Sequence, residues 1–132
     1  MIFNGDINVM DLPSIWNQKY EEYLGVTPEN DSVGIMQDIH WAGGMFGYFP
    51  SYALGSAIAA QLFHYMEGVM PMKEYLKEGN LAPIREFLRE NIHQYGAAKK
   101  TQQILMDTVG EEFNPDYYIQ YLTEKFTKLY EL

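Results

Sequence analysis

The sequence contains no cysteine, which excludes a disulfide framework and any metal site built on thiolates. Basic residues are also scarce: nine Lys and Arg stand against eighteen Asp and Glu, and the formal net charge is −9. A nucleic-acid surface needs Lys and Arg to neutralise phosphates, so this balance argues against nucleic acid as a partner. The composition fits a cytoplasmic chain, and that is the localisation we expect.

Long apolar runs are missing as well. The N-terminal residues lack the basic segment and the apolar core of a signal peptide. The most apolar stretch, residues 52–70, is interrupted by Gln61, His64 and Glu67. A bilayer span needs about twenty mostly apolar residues. We therefore expect a buried helix there and no association with a membrane.

Hairpin signals, internal repeats and low-complexity tracts are also absent from the sequence, whereas apolar residues recur at helical spacing. This pattern predicts an all-α fold of six or seven helices, in a single domain over residues 1–132. The predicted helices span 11–25, 34–39, 50–69, 73–77, 80–95, 101–110 and 115–132. The second of these would place Gln37 and Trp41, four residues apart, on one face. We expect the last helix to bury one apolar face, and residues 1–3 to be the end of a preceding helix.

The segment from residue 34 to residue 52 carries the groups best suited to chemistry. Asp38 stands two residues before His40, where its carboxylate could orient the imidazole, and a histidine beside a flexible loop can stabilise an oxyanion. Alternatively, Asp38 caps the loop and His40 binds a buried carbonyl. Tyr48 and Tyr52 could each donate a hydrogen bond to a carbonyl or a carboxylate. Core packing is the alternative for both phenols, because the chain has eleven tyrosines.

Other catalytic and metal-binding motifs are not found. The three histidines are His40, His64 and His93, and no two of them are four residues apart or form an H-E-x-x-H pair. Without convergent ligands a zinc site is poorly supported. No serine nucleophile motif and no phosphate-binding glycine loop is present either.

The segment G-x-x-Q-D-x-H-W, residues 34–41, resembles the corresponding motif of the carboxypeptidase Taq family of metallopeptidases. The following segment F-G-Y-F-P-x-Y-x-L-G, residues 46–55, is similar to that family as well. Further similarity covers nearly the whole chain, at residues 11–25, 92–96, 110–115 and 121–125. The family's H-E-x-x-H helix and its other upstream motifs are missing, so the chain resembles only the C-terminal quarter.

The resemblance implies part of a larger helical, zincin-like metallocarboxypeptidase that releases C-terminal amino acids from peptides, using zinc or cobalt. It implies that His40 and Tyr48 face the scissile carbonyl and stabilise the tetrahedral intermediate. Gln37, Asp38, Trp41 and Tyr52 would bind substrate or line the cleft. It implies no metal ligand in this chain, so we expect no bound metal and no peptidase activity from this polypeptide alone.

Two functions remain open at this stage. In the first, the chain is the C-terminal portion of a metal-dependent carboxypeptidase and supplies cleft residues but no metal ligands. In the second, it is a stand-alone, non-catalytic helical module that binds peptides or a partner protein. A quarter of a larger core exposes apolar surface, and the family commonly forms dimers, so we expect a homo-oligomer.

Overall fold

The computed structural model describes residues 3–132, and the fold of this part of the chain is all-α, as predicted. It contains six α-helices, α1 to α6, and no strand: Leu12–Leu24, Pro50–Val69, Met72–Glu78, Ala82–Asn91, Thr101–Val109 and Asp116–Tyr130. Short 3-10 turns lie at Val9–Asp11, Asp31–Val33, Ile35–Gln37, Trp41–Gly43 and His93–Tyr95. The chain divides into two compact units, Met1–Phe49 and Pro50–Leu132.

The first unit is built around α1, whose ends follow from proline and glycine. Pro13 lies in the first turn, where its missing N–H removes no helical hydrogen bond. Gly25 ends the helix with φ of 69°, and its N–H donates to the carbonyl of Glu21. The Asp11 side chain does not cap this helix, but the Asp11 carbonyl accepts a hydrogen bond from the Ser14 hydroxyl.

The α-helix predicted over residues 34–39 is wrong. The structure has separate 3-10 turns at Asp31–Val33 and Ile35–Gln37, and Asp38 follows with φ of −84° and ψ of 89°, outside the helical region. Buried Gly34 separates the two turns with φ of −112° and ψ of −118°. The Asp38 side chain binds a backbone N–H two residues ahead, which competes with helical pairing. Gln37 and Trp41 therefore do not share the face of one helix.

The second unit is organised around α2, which contacts α3, α5 and α6. Its small side chains allow close approach of neighbours, and Ala57, Gln61 and Met66 are buried along it. The helix predicted over 80–95 ends at Asn91, because Ile92 leaves helical geometry and a 3-10 turn follows. Among the described residues no helix combines the length and the apolar character needed to cross a bilayer.

The core of the described chain is small, and much apolar surface is exposed. The buried apolar residues are Ala57, Met66, Met72 and Leu105. The last helix was expected to bury one face, but Ile119 is 57% exposed and Leu129 is 62% exposed. Large exposed apolar patches are places where proteins contact other polypeptides, membranes or ligands. The expected helical end at residues 1–3 concerns Met1 and Ile2, which lie outside the described residues.

Gly79 offers a test of the helix boundaries. It ends α3 with φ of 69°, a conformation that costs a residue with a Cβ about 1 kcal/mol or more. We expect Gly79→Ala to lower the free energy of unfolding by about that amount in urea denaturation. Gly55 lies inside α2 with no atom within 4 Å of an added Cβ, so Gly55→Ala should instead stabilise by roughly 0.5–1 kcal/mol. Equal effects of the two substitutions would contradict the assigned backbone conformations.

Candidate functional site

The centre of the candidate site is the Asp38–His40 turn of the first unit. The Oδ1 atom of Asp38 lies 2.7 Å from the Nδ1 atom of His40 and accepts the His40 backbone N–H at 3.0 Å. Both side chains are largely shielded, with 11% of Asp38 and 18% of His40 exposed. An ionised carboxylate only accepts hydrogen bonds, so Nδ1 carries the proton in this pair. One carboxylate oxygen of Asp38 therefore holds both the imidazole and the backbone of His40.

The backbone after His40 folds back on it. The His40 carbonyl accepts hydrogen bonds from the N–H groups of Gly43 at 3.1 Å and Met45 at 2.9 Å. Gly44 and Gly47 have φ of 73° and 75°, in the left-handed region that glycine adopts without strain. These two reversals return the chain toward the imidazole.

Two aromatic residues reach His40 through this reversal. The Tyr48 ring lies 5.1 Å from the imidazole between centroids, tilted by 31°. The Phe49 ring lies 5.3 Å away and is perpendicular to it. The sequence pattern singled out His40 and Tyr48, which the structure brings together, but it missed Phe49. The signal for Phe49 was its place beside Tyr48 in the aromatic run that follows Gly47.

Trp41 belongs to a neighbouring cluster of aromatic side chains. Its ring contacts Trp16 of α1 edge-on at 5.9 Å and Phe46 at 5.3 Å. Trp16 in turn stacks on Tyr20 at 5.7 Å. Trp41 thus anchors the segment after His40 to the first helix.

The remaining two predicted residues are Gln37 and Tyr52. The Gln37 side-chain amide donates to the carbonyl of Ser32 at 2.5 Å, which ties the two 3-10 turns together. Tyr52 belongs to the second unit, in the first turn of α2, and its side chain is exposed. Its carbonyl accepts from the Ser56 hydroxyl at 3.1 Å.

The described residues do not fit a metal site. No group of three or more His, Asp or Glu side chains among residues 3–132 is close enough to hold an ion. What the Asp38–His40–Tyr48 arrangement can do is hydrogen-bond an oxygen atom of a bound molecule. With Nδ1–H donating to Asp38, the imidazole donates through Nε2 when it is protonated and accepts there when it is neutral.

Known proteins resemble this chain along nearly its whole length. The family model described as carboxypeptidase Taq (M32) metallopeptidase matches residues 1–126. Carboxypeptidase 1 of Bacillus subtilis is 51% identical over 132 residues, which are 99% of this chain and 26% of that protein. Thermostable carboxypeptidase 1 of Pyrococcus furiosus is 35% identical over 127 residues, 96% of this chain and 26% of that protein. The chain thus spans about a quarter of the length of the curated relatives it matches.

Solved structures give the same relationship. The crystal structure titled BsuCP superposes with a TM-score of 0.86 at 50% identity, covering 97% of this chain and 26% of that one. The M32 carboxypeptidase of Deinococcus radiodurans superposes with a TM-score of 0.90 at 27% identity, covering 98% of this chain and 26% of that one. The helices described above are therefore a segment of that larger helical fold, and the chain belongs to the carboxypeptidase Taq (M32) family of metallopeptidases.

Proposed function

We propose that this chain forms part of the substrate cleft of a metal-dependent carboxypeptidase that releases C-terminal amino acids from peptides. His40 and Tyr48 donate hydrogen bonds to the scissile carbonyl oxygen as it becomes an oxyanion. The observation that carries this proposal is the 5.1 Å approach of the two rings in a loop whose histidine is held by Asp38. A fixed donor needs no reorganisation when charge develops, which is why such donors lower the barrier.

Asp38 has a positioning role in this proposal. Its carboxylate holds the proton on Nδ1, so that Nε2 of the protonated ring is the nitrogen that donates to the oxyanion. Trp41 and Gln37 keep the loop in place through their contacts with Trp16 and Ser32. A role of Tyr52 in binding substrate or lining the cleft stays a prediction.

The nucleophile and the metal lie outside this chain in the proposal, since its described residues hold no cluster of metal ligands. An oxyanion donor accelerates a reaction only where a nucleophile reaches the same carbon. The isolated chain should therefore neither hydrolyse a carbobenzoxy-dipeptide nor bind zinc stoichiometrically. Zinc or cobalt dependence stays a prediction for the full-length enzyme. For this chain, the remaining predictions are a cytoplasmic location, a homo-oligomeric state and a single folding domain.

The test is a chimera in which this chain replaces the matching segment of the Bacillus subtilis carboxypeptidase 1. At 51% identity over 132 residues, the replacement should preserve the contacts of the segment. We expect the chimera to release the C-terminal amino acid from a carbobenzoxy-dipeptide, while the isolated chain gives no turnover. A folded but inactive chimera would favour the stand-alone binding module. Turnover by the isolated chain with one bound zinc would overturn the proposal.

A further inference from the structure

The second unit contains a cavity that the proposed carboxypeptidase chemistry does not use. It lies between the C-terminal half of α2 and the connection from α5 to α6, and its volume is about 540 Å³. This is within the range of small-molecule sites, roughly 300–1,000 Å³. The polar and aromatic side chains of its wall are Gln61, His64, Tyr65, Glu111 and Tyr117.

Gln61 fixes one wall of the cavity. It is fully buried, and its Nε2 atom donates to the Glu111 Oε1 atom at 3.1 Å and to the Glu112 carbonyl at 2.9 Å. Its Oε1 atom accepts the backbone N–H of Asn114 at 3.1 Å. Both amide donors are thereby used inside the protein. The Glu111 carboxylate is thus held at the cavity wall by a buried side chain whose amide is fully hydrogen-bonded.

Aromatic rings flank this carboxylate. The rings of His64 and Tyr117 lie 4.7 Å apart, tilted by 38°. Hydrogen bonding with the Glu111 carboxylate, followed by burial, raises the pKa of Tyr117 above its usual range. The phenol therefore stays neutral, and its ring keeps an electron-rich face next to the negative charge.

The cavity wall contains no Lys and no Arg, and His64 is its basic side chain. Within residues 3–132 the ion pairs of the structure do not include Glu111. The Glu111 carboxylate is half-buried and accepts hydrogen bonds from Gln61 and Tyr117, which leave its negative charge in place. A cation placed against Glu111 would neutralise this charge and could also lie over an aromatic ring.

We propose that this cavity binds a guanidinium group, which pairs with the Glu111 carboxylate and stacks on the Tyr117 ring. A metal ion is not favoured, because fewer than three metal-ligating side chains converge there. An anion would be repelled by Glu111. A guanidinium fits better than an ammonium, since it is planar, offers a fork of donors to a carboxylate and stacks on aromatic faces.

The experiment titrates the full chain with agmatine and follows the His64 ring resonances by NMR, which report on the cavity wall. Agmatine also carries an ammonium group, so two controls are used: putrescine, with two ammonium groups and no guanidinium, and N-butylurea, with a similar planar head group but no charge. We expect agmatine to shift the His64 resonances in a saturable manner and to bind at least tenfold more tightly than either control. Binding of putrescine or N-butylurea as tight as that of agmatine would overturn the proposal.

Variants assign the effect to the carboxylate. Glu111→Gln should weaken agmatine binding at least tenfold, whereas Glu112→Gln should leave it unchanged, because that exposed side chain lies outside the cavity wall. Tyr117→Leu, which removes the ring, should also weaken binding, and circular dichroism checks that each variant is folded. If the folded Glu111→Gln variant binds agmatine as tightly as the unsubstituted chain does, the proposal is wrong.

A second ligand, the peptide Gly-Arg-Gly, shows whether the guanidinium comes from an arginine side chain or from a free small cation. Tighter binding of the peptide than of agmatine identifies an arginine side chain of a polypeptide as the occupant. Tighter binding of agmatine identifies a free small cation. Either order supports the guanidinium site, and an absence of binding by both contradicts it.

Discussion

The chimera with His40→Gln should hydrolyse a carbobenzoxy-dipeptide on the order of 10²- to 10³-fold more slowly than the chimera with His40 intact. The side chain would no longer donate from the position that Asp38 fixes through its 2.7 Å contact with Nδ1. Because the donor is needed mainly as the oxyanion forms, the loss should appear in kcat, with KM nearly unchanged. Steady-state kinetics at several substrate concentrations measures both constants.

Two further variants separate this effect from general damage. His93 is exposed and has no part in the proposed hydrogen bonds to the oxyanion, so His93→Gln should leave kcat within twofold. Asp38→Asn keeps the shape of the turn but removes the charge opposite the imidazole. It should lower kcat by about tenfold, the value of one charge-assisted hydrogen bond. A His40→Gln chimera as active as the His93→Gln control would rule out a role of His40 in catalysis.

Replacing Gln61 by leucine should lower the free energy of unfolding by about 3 kcal/mol. This is the largest stability effect that we expect from a single substitution. The Gln61 side chain is fully buried and binds the Glu111 carboxylate, the Glu112 carbonyl and the Asn114 N–H. Leucine fills similar space, but it leaves these three groups without their partner. A buried polar group left unsatisfied costs about 1–3 kcal/mol. Urea denaturation followed by circular dichroism gives the difference.

The control for this change is Gln102→Leu. Gln102 is an exposed residue of α5, and a substitution at such a position changes stability by less than about 0.5 kcal/mol. Similar unfolding midpoints for the two variants, at equal denaturant slope, would show that the Gln61 network does not stabilise the second unit.

Several helix ends were predictable from a proline or a glycine. Pro13 and Gly25 bound α1, and Pro50 begins α2, because these residues restrict or permit backbone angles locally. Residues 34–39 were not predictable in the same way. There the Asp38 side chain replaces helical pairing with its own hydrogen bond, and apolar spacing does not reveal that competition.

The candidate site was predictable in its residues but not in its geometry. The resemblance of the Gln37–Trp41 segment to the family pointed to His40, and that of the next segment pointed to Tyr48. Their approach depends on the positive φ of Gly44 and Gly47, and the sequence shows only that glycines are present. Gln61 was missed as a structural residue, because one glutamine in an apolar helix gives no sign of which distant groups it binds.

The same glutamine has a consequence for how the second unit assembles. Its hydrogen bonds to Glu111, Glu112 and Asn114 join positions 50, 51 and 53 residues apart. Closing so long a loop is entropically unfavourable, so these hydrogen bonds form only after the intervening helices have formed. The hydrogen bonds of Gln61 therefore form late in folding, after the transition state. Their removal should accelerate unfolding and leave the folding rate nearly untouched.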